Sequence, residues 1–400
     1  MWTDIAVTTD WAVWCIMAMS VAYVGFFAMA SLLPERKRKD HTPTAGQARF
    51  LVLFPAYKED SVIVSSVKTF LKQDCRKEMY RVGVISDHMQ ADTNSQLAAL
   101  PITLHMPTFT KSSKAKALQY AIENTEGEFT HVVILDADNH VEPDFLTRLN
   151  SVCARGYGAI QCHRTAKNAD NNIAALDGIS EEINNSIFRR GHNRLGLSSA
   201  LIGSGMCFNY KWLADNVGKL NSAVEDREME ALLMRQGIYI HYAEDIRVMD
   251  EKVSSSENFQ RQRLRWMTGQ VQSLVQMTPY LPKAIAKGNI NYIDKTLQQA
   301  VIPRSILLAL TIVLACTTTV AALLWPAYRM HFTAHLSPMK WWLLLIVIIT
   351  ALLIATPARL RTKALFRQSL MFPKLVWHML QNIFRIRPKE NEFIHTTHNK

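Results

Sequence analysis

The sequence predicts an α/β domain on a doubly wound, Rossmann-like sheet, with one transmembrane helix before it and two after it. Three observations predict this. Short apolar runs of strand character alternate with helix-like stretches between residues 49 and 138. Three of those runs end in carboxylates, and three segments of 23, 21 and 18 residues carry no charge. The 400-residue chain is 48% hydrophobic with a formal charge of +11, and much of the excess borders the apolar segments. That placement points to an anionic membrane surface and argues against nucleic acid as a partner. Six scattered cysteines lack any CxxC or CxH spacing, so neither a zinc site nor a disulfide framework is indicated. They read as reduced thiols of a cytosol-facing protein.

In chain order, residues 1–34 form an anchor around Trp11–Leu33. Positive charge follows that span, at Arg36–Lys39, instead of preceding it as in a signal peptide. An uncleaved helix with its N-terminus outside is therefore expected. Residues 45–256 carry the α/β pattern: strand 49–54, helix 61–72, strand 81–85, helix 115–123 and strand 132–135. Residues 257–300 are read as interfacial helices, since Gln260–Leu281 sets Leu264, Met267, Val271, Leu274 and Val275 opposite Arg261, Arg263 and Gln270. Two further spans, Ser305–Trp325 and Trp341–Ala358, fill residues 301–358. The basic tail 359–400 contains an amphipathic stretch, Phe366–Ile386, and the segment Phe393–His398. Matching basic flanks place the α/β domain and the tail in the cytosol. The expected location is an integral membrane protein, of the inner membrane if the cell is bacterial.

The candidate site lies where the strands end. Val132–Leu135 reads as a buried parallel strand, and Asp136 and Asp138 follow it at a spacing that can aim two carboxylates at a hard cation such as Mg2+ or Mn2+. Glu59 and Asp87 follow the other two strands, so all four carboxylates are expected on one sheet edge. The bland alternative is a set of solvated strand ends. No GxGxxG follows the first strand, so a nucleotide bound here needs a metal and cations such as Lys111 and Lys114 to neutralise its phosphates. Those lysines would equally suit a solvated loop.

PAYKE at 55–59, Asp87, KSSKAKAL at 111–118, LDAD at 135–138, ED at 225–226 and QRLRW at 262–266 resemble, in that order, the family 2 glycosyltransferases. The narrower likeness is to the membrane-bound branch of cellulose, hyaluronan and chitin-oligosaccharide synthases. The resemblance implies a GT-A fold, a nucleotide-sugar donor (most often uridine-linked), a divalent cation and inversion at the anomeric carbon. It implies that Tyr57, Glu59 and Asp87 hold base and ribose, that Asp138 with Asp136 binds the metal, and that Lys111, Lys114 and Arg265 serve the donor phosphates. It makes Asp226 the general base and puts Gly203, Ser204, Gly205, Glu225 and Trp266 near the acceptor, with Gln262, Arg265 and Trp266 forming the QxxRW motif. For Asp226 the alternative is a helix start, for Gly203 and Gly205 a plain turn, and for Trp266 a packed core residue. The run at 86–88 is Ser-Asp-His and the second acidic motif is VED, both departures from the better-known synthases.

The expected activity is sugar transfer to a growing glycan or lipid-linked acceptor, with processive polymer synthesis as the alternative. A non-catalytic subunit of a glycan-assembly complex is the other class, disfavoured because Asp136, Asp138, Asp226 and QxxRW are all present. Three spans are few to enclose a polar polymer, so export would need an oligomer or another protein.

Overall fold

A computed structural model describes residues 2–35, 47–168, 171–220, 222, 224–253, 255–324, 338–361, 377 and 381. The basic run Arg36–Lys39, most of Phe366–Ile386 and Phe393–His398 lie outside the described residues.

The centre of the molecule is β1 (Phe50–Tyr57), whose first five residues are buried on both faces. Phe50, Val52 and Phe54 enter one hydrophobic core and Leu51 and Leu53 the other. That two-sided burial is why the run is continuously apolar. β1 pairs in parallel with β2 (Tyr80–Asp87) and β4 (His131–Ile134), and β2 pairs with β3 (Thr103–His105). Helices α2 (Ile63–Phe70), α3 (Ala91–Ala98) and α4 (Lys114–Asn124) connect them. α4 starts where the Ser113 hydroxyl accepts from Lys116 N, and it buries Ala115, Leu118, Ala121 and Ile122 at helical spacing.

One expected strand end is corrected here. β1 runs past Phe54 through Pro55 to Tyr57, because its pairing with β4 ends at Leu53 and only β2 lies beside Pro55. The sheet is also mixed: its order is β3-β2-β1-β4-β7-β6-β8-β5, and β7 (Met206–Asn209) runs antiparallel to β4 and to β6 (Ala159–Ala166). β8 (Ile240–Asp250) is parallel to β6, and the short β5 (His140–Val141) closes the far edge. Around this half lie α5 (Phe145–Cys153), α6 (Asn172–Asn184) with a π-helical extension Asn185–Gly191, α7 (His192–Arg194), α8 (Tyr210–Val217) and α9 (Glu225–Arg235). All six cysteines are free.

Helices α10 (Ser256–Met277), α11 (Leu281–Ala286) and α12 (Ile290–Ala300) follow. α10 does not present the expected apolar side as one face. Met267 is buried, Val275 is 61% exposed, and polar Gln272 and Ser273 are buried instead. Among the described residues, three helices are long and apolar enough to cross a membrane: α1 (Trp2–Ala30), α13 (Arg304–Leu324) and α14 (Pro338–Ala355). α1 buries Met17, Val21, Val24 and Ala28 on one stripe and exposes Ile16, Met19 and Phe26 on the other. One end of this bundle carries Trp11, Trp14 and Trp341 around an ion pair between Lys340 and Asp10, the residue types that favour a membrane interface. α1 is tied to the sheet domain by Tyr23, whose hydroxyl donates to Asp294 Oδ1 (2.9 Å), and by Phe27, stacked 3.6 Å from the His192 ring.

Candidate active site

The parallel strands deliver their ends to one edge. Tyr57 and Asp87 are register partners at the ends of β1 and β2, and each is followed by a residue with left-handed backbone, Lys58 (φ 54°) and His88 (φ 56°). Such strain in non-glycine residues is kept where the surroundings enforce it. One carboxylate oxygen of the buried Asp87 meets His88 Nδ1 at 2.6 Å. Leu135 N donates to Leu53 O, which sets Asp136 and Asp138 beside the same edge.

Lys114 organises the next layer. Its ammonium donates to Asp136 Oδ1 (2.5 Å) and to Gly203 O (2.6 Å), and lies 3.7 Å from Glu225 Oε1. Burial alone would lower its pKa, but Asp136 and then Glu225 reverse this and raise it. Asp136 is held below the usual carboxylate range because Lys114 outweighs its burial. Glu225 is pushed up to about 7 by burial, with Lys114 opposing and Asp226 adding. Asp138 is 5% exposed, its Oδ2 accepting from Glu251 N and its Oδ1 from the Asn139 amide.

Glu225 and Asp226 open α9, with Asp226 Oδ1 accepting from Arg227 N, so the helix-start reading holds for the backbone. Gly203 has φ +68°, and a Cβ there would sit 3.6 Å from Asp226 Oδ2. Glycine at 203 thus permits a left-handed turn directly against that carboxylate. On α10, Gln262 Oε1 is buried and accepts no hydrogen bond among the described residues. The Arg263 guanidinium lies 4.5 Å over Trp266 and pairs with Asp177.

These groups line one cavity of about 1040 Å³. It brings together Tyr57, Glu59, Asp87, Lys114, Asp136, Asp138, Gly203, Glu225, Asp226, Gln262, Arg265 and Trp266. Three residues singled out from the sequence are not in its lining. Lys111 is exposed on the loop before α4, where its carbonyl accepts from Lys116. Ser204 is fully buried behind the edge, its hydroxyl bonded to Asn139, and Gly205 packs against Val248 and Cys162. Both are placed to shape the turn and not to touch a ligand.

The structure adds lining residues that no local pattern signals. Arg164 on β6 pairs with Asp250 at 3.1 Å, and Arg189 pairs with Glu181 at 3.1 Å. Glu181 is held at about 2 although burial opposes it, because Arg164, Arg189 and Lys252 surround it. Glu230, one turn beyond Asp226, accepts from Leu201 N at 2.7 Å.

Residues 131–355, more than half of the chain, match the sequence model of the glycosyl transferase family group 2. The chain is a family 2 glycosyltransferase. No curated protein matches the sequence. Among solved structures, the mannosyltransferase PcManGT from Pyrobaculum calidifontis, determined with GDP-Man and Mn2+, is 18% identical with a TM-score of 0.52, over 85% of this chain and 98% of that one. Residues 1–349 of TarS from S. aureus give 13% identity and a TM-score of 0.42, over 84% and 89%. The first likeness shows the GT-A fold, and the second adds no argument. In this glycosyltransferase the family match begins at β4, so it contains LDAD, ED and QxxRW but not the β1 and β2 ends.

Proposed function

We propose that this glycosyltransferase works at a membrane, moving a sugar from a nucleotide-sugar, uridine-linked by preference, to a hydroxyl of a growing glycan or lipid-linked acceptor with inversion. The observation that carries the reading is the single cavity in which Asp136 and Asp138 share walls with Asp226 and with Gln262, Arg265 and Trp266. Tyr57 offers a ring face and Asp87 and Glu59 offer acceptors for a base N–H and ribose hydroxyls. Asp138 and Asp136 would hold Mg2+ or Mn2+. Among the described residues no group of three His, Cys, Asp or Glu forms a closed cage. Two hard carboxylates without a cage fit a cation whose remaining ligands are substrate phosphates and water. When bound, that cation neutralises charge on the departing diphosphate.

The chain's own residues supply the rest. Asp226 takes the proton as the acceptor oxygen forms its bond to the anomeric carbon; the carbon–oxygen bond to the diphosphate breaks, and its electron pair leaves with the nucleotide. Attack from the side opposite the diphosphate gives inversion. Lys114 keeps its charge and fixes Asp136, while Glu225 carries a proton up to about neutral pH and can donate to an acceptor oxygen. The three apolar helices would hold the cavity at the cytosolic surface, with the N-terminus outside. The test is incubation of detergent-purified protein with radiolabelled nucleotide sugars, with and without membrane lipids, and sizing of the products. Mn2+-dependent transfer from a UDP-sugar supports the reading; donor turnover unaffected by excess chelator and by Asp138→Asn contradicts it.

A further inference from the structure

We propose that the acceptor is a membrane lipid bearing a phosphate, with the phosphate at Arg304 and the chains in the apolar groove where α6 and its π-helical extension face α13 and α14. This rests on the transferase reading above and names the class of its acceptor.

The cavity does not stop at the carboxylates. Its lining also carries Ile179 of α6, Phe188 of the π-helical extension, Leu308 of α13 and Ile349, Leu352 and Leu353 of α14. Ile349 and Leu353 of α14 line the cavity and are 42% and 52% exposed. The cavity wall thus includes residues of two helices apolar enough to span a membrane, where acyl or prenyl chains of a bilayer would lie, and the candidate base lines the same cavity. A sugar polymer alone gains little from such walls, whereas a lipid chain loses no contact in entering them from the bilayer.

Charge selects the headgroup. Arg164, Arg189 and Arg263 each pair with a carboxylate. Arg304, at the first residue of α13, instead donates to Ser180 O (3.1 Å), Ser180 Oγ (3.4 Å) and Asn184 Oδ1 (2.7 Å), and makes no ion pair among the described residues. Arg227, in the same lining, donates to the Gln299 amide oxygen and makes no ion pair among the described residues. A guanidinium facing an apolar wall without a counter-ion is costly, and a phosphate meets it with paired hydrogen bonds. Arg304 opens α13 and shares the lining with Leu308 and Leu353, so a phosphate on it would leave the chains between the helices.

The test uses two photoreactive lipids with identical chains, phosphatidic acid and diacylglycerol, on the full chain in nanodiscs, with UDP binding in the presence of Mn2+ measured in the same preparation. Labelling by the phosphatidic acid should map to α6, α13 and α14 and exceed that of the diacylglycerol by about tenfold, the value of a charge-assisted contact. Arg304→Gln should bring the two lipids level, Arg304→Lys should keep most of the preference, and Leu353→Trp, a change at an exposed position, should reduce labelling by both. Glycerol 3-phosphate should not compete. Equal labelling by the two lipids, labelling elsewhere, or displacement by glycerol 3-phosphate overturns the inference. If UDP binds while the lipids show no difference, the acceptor assignment alone fails; if UDP does not bind wild type, the transferase reading fails and this inference with it.

Discussion

The two ends of the cavity are built in different ways. At the strand edge, Tyr57, Asp87 and Asp136 lie at or within two residues of the ends of β1, β2 and β4, so each side chain is aimed by its own strand. At the membrane end, Arg304 is positioned by Ser180 and Asn184, more than a hundred residues earlier in the chain, and Leu353 comes from a different span again. Secondary structure places the first set and packing places the second. A site can therefore be half readable from sequence: the half proposed here for the nucleotide follows strand ends, and the half proposed for the acceptor exists only once helices have assembled.

The difference predicts where substitutions act. Asp226→Asn should lower transfer by roughly 100- to 10,000-fold with nucleotide affinity unchanged, as expected for loss of a general base. Calorimetry of UDP binding beside a turnover assay separates the two, and an equal loss of affinity would make Asp226 a binding residue. Lys114→Met should act on the fold itself, costing about 3–5 kcal/mol because the ionised Asp136 loses its cation in a buried site. Denaturation measured without added divalent cation checks this, with Lys114→Arg expected to recover part of the loss.

Glu225 gives a pH signature. Its carboxyl is raised from 4.5 to about 7, chiefly by burial, so the folded state binds a proton that the unfolded chain has released. That contribution to stability is fully present below about pH 4.5 and is lost as pH rises through about 7. Glu225→Gln should flatten the stability profile across this window, and a wild-type profile rising from pH 5 to 8 together with an unchanged variant would contradict it. The smallest effect is expected for Gly203→Ala, about 1–2 kcal/mol for a side chain forced into left-handed backbone. Because the new methyl would sit against Asp226, turnover should fall more than stability does.

Much of the strand edge was legible because its signals are local. An apolar run of strand length that ends in a carboxylate states both the element and the direction of the side chain. β7 was not legible as an antiparallel strand, since Met-Cys-Phe-Asn carries no alternation and its direction is set by the left-handed turn at Gly203 and Gly205. The same turn misled the reading of Ser204, whose hydroxyl is spent on Asn139 inside the protein. Lys111 and Lys114 looked alike in KSSKAKAL, yet only the second belongs to α4, as its first residue after the Ser113 cap, while Lys111 lies on the loop before it. The charged cluster of Arg164, Glu181, Asp250 and Lys252 pairs residues from β6, α6 and β8 and past its end, and no spacing in the chain announces such a meeting.

The central claim is that the carboxylate edge holds a nucleotide diphosphate and its cation in the same cavity as Asp226. The most direct measurement is a cryo-electron microscopy map of the full chain in nanodiscs with UDP and Mn2+. The account predicts metal density about 2.1 Å from an Asp138 oxygen, a typical distance for a small hard cation, with the uracil between Tyr57 and Asp87 and the diphosphate facing Asp226. Nucleotide density outside this edge, or metal density away from Asp136 and Asp138, would contradict it.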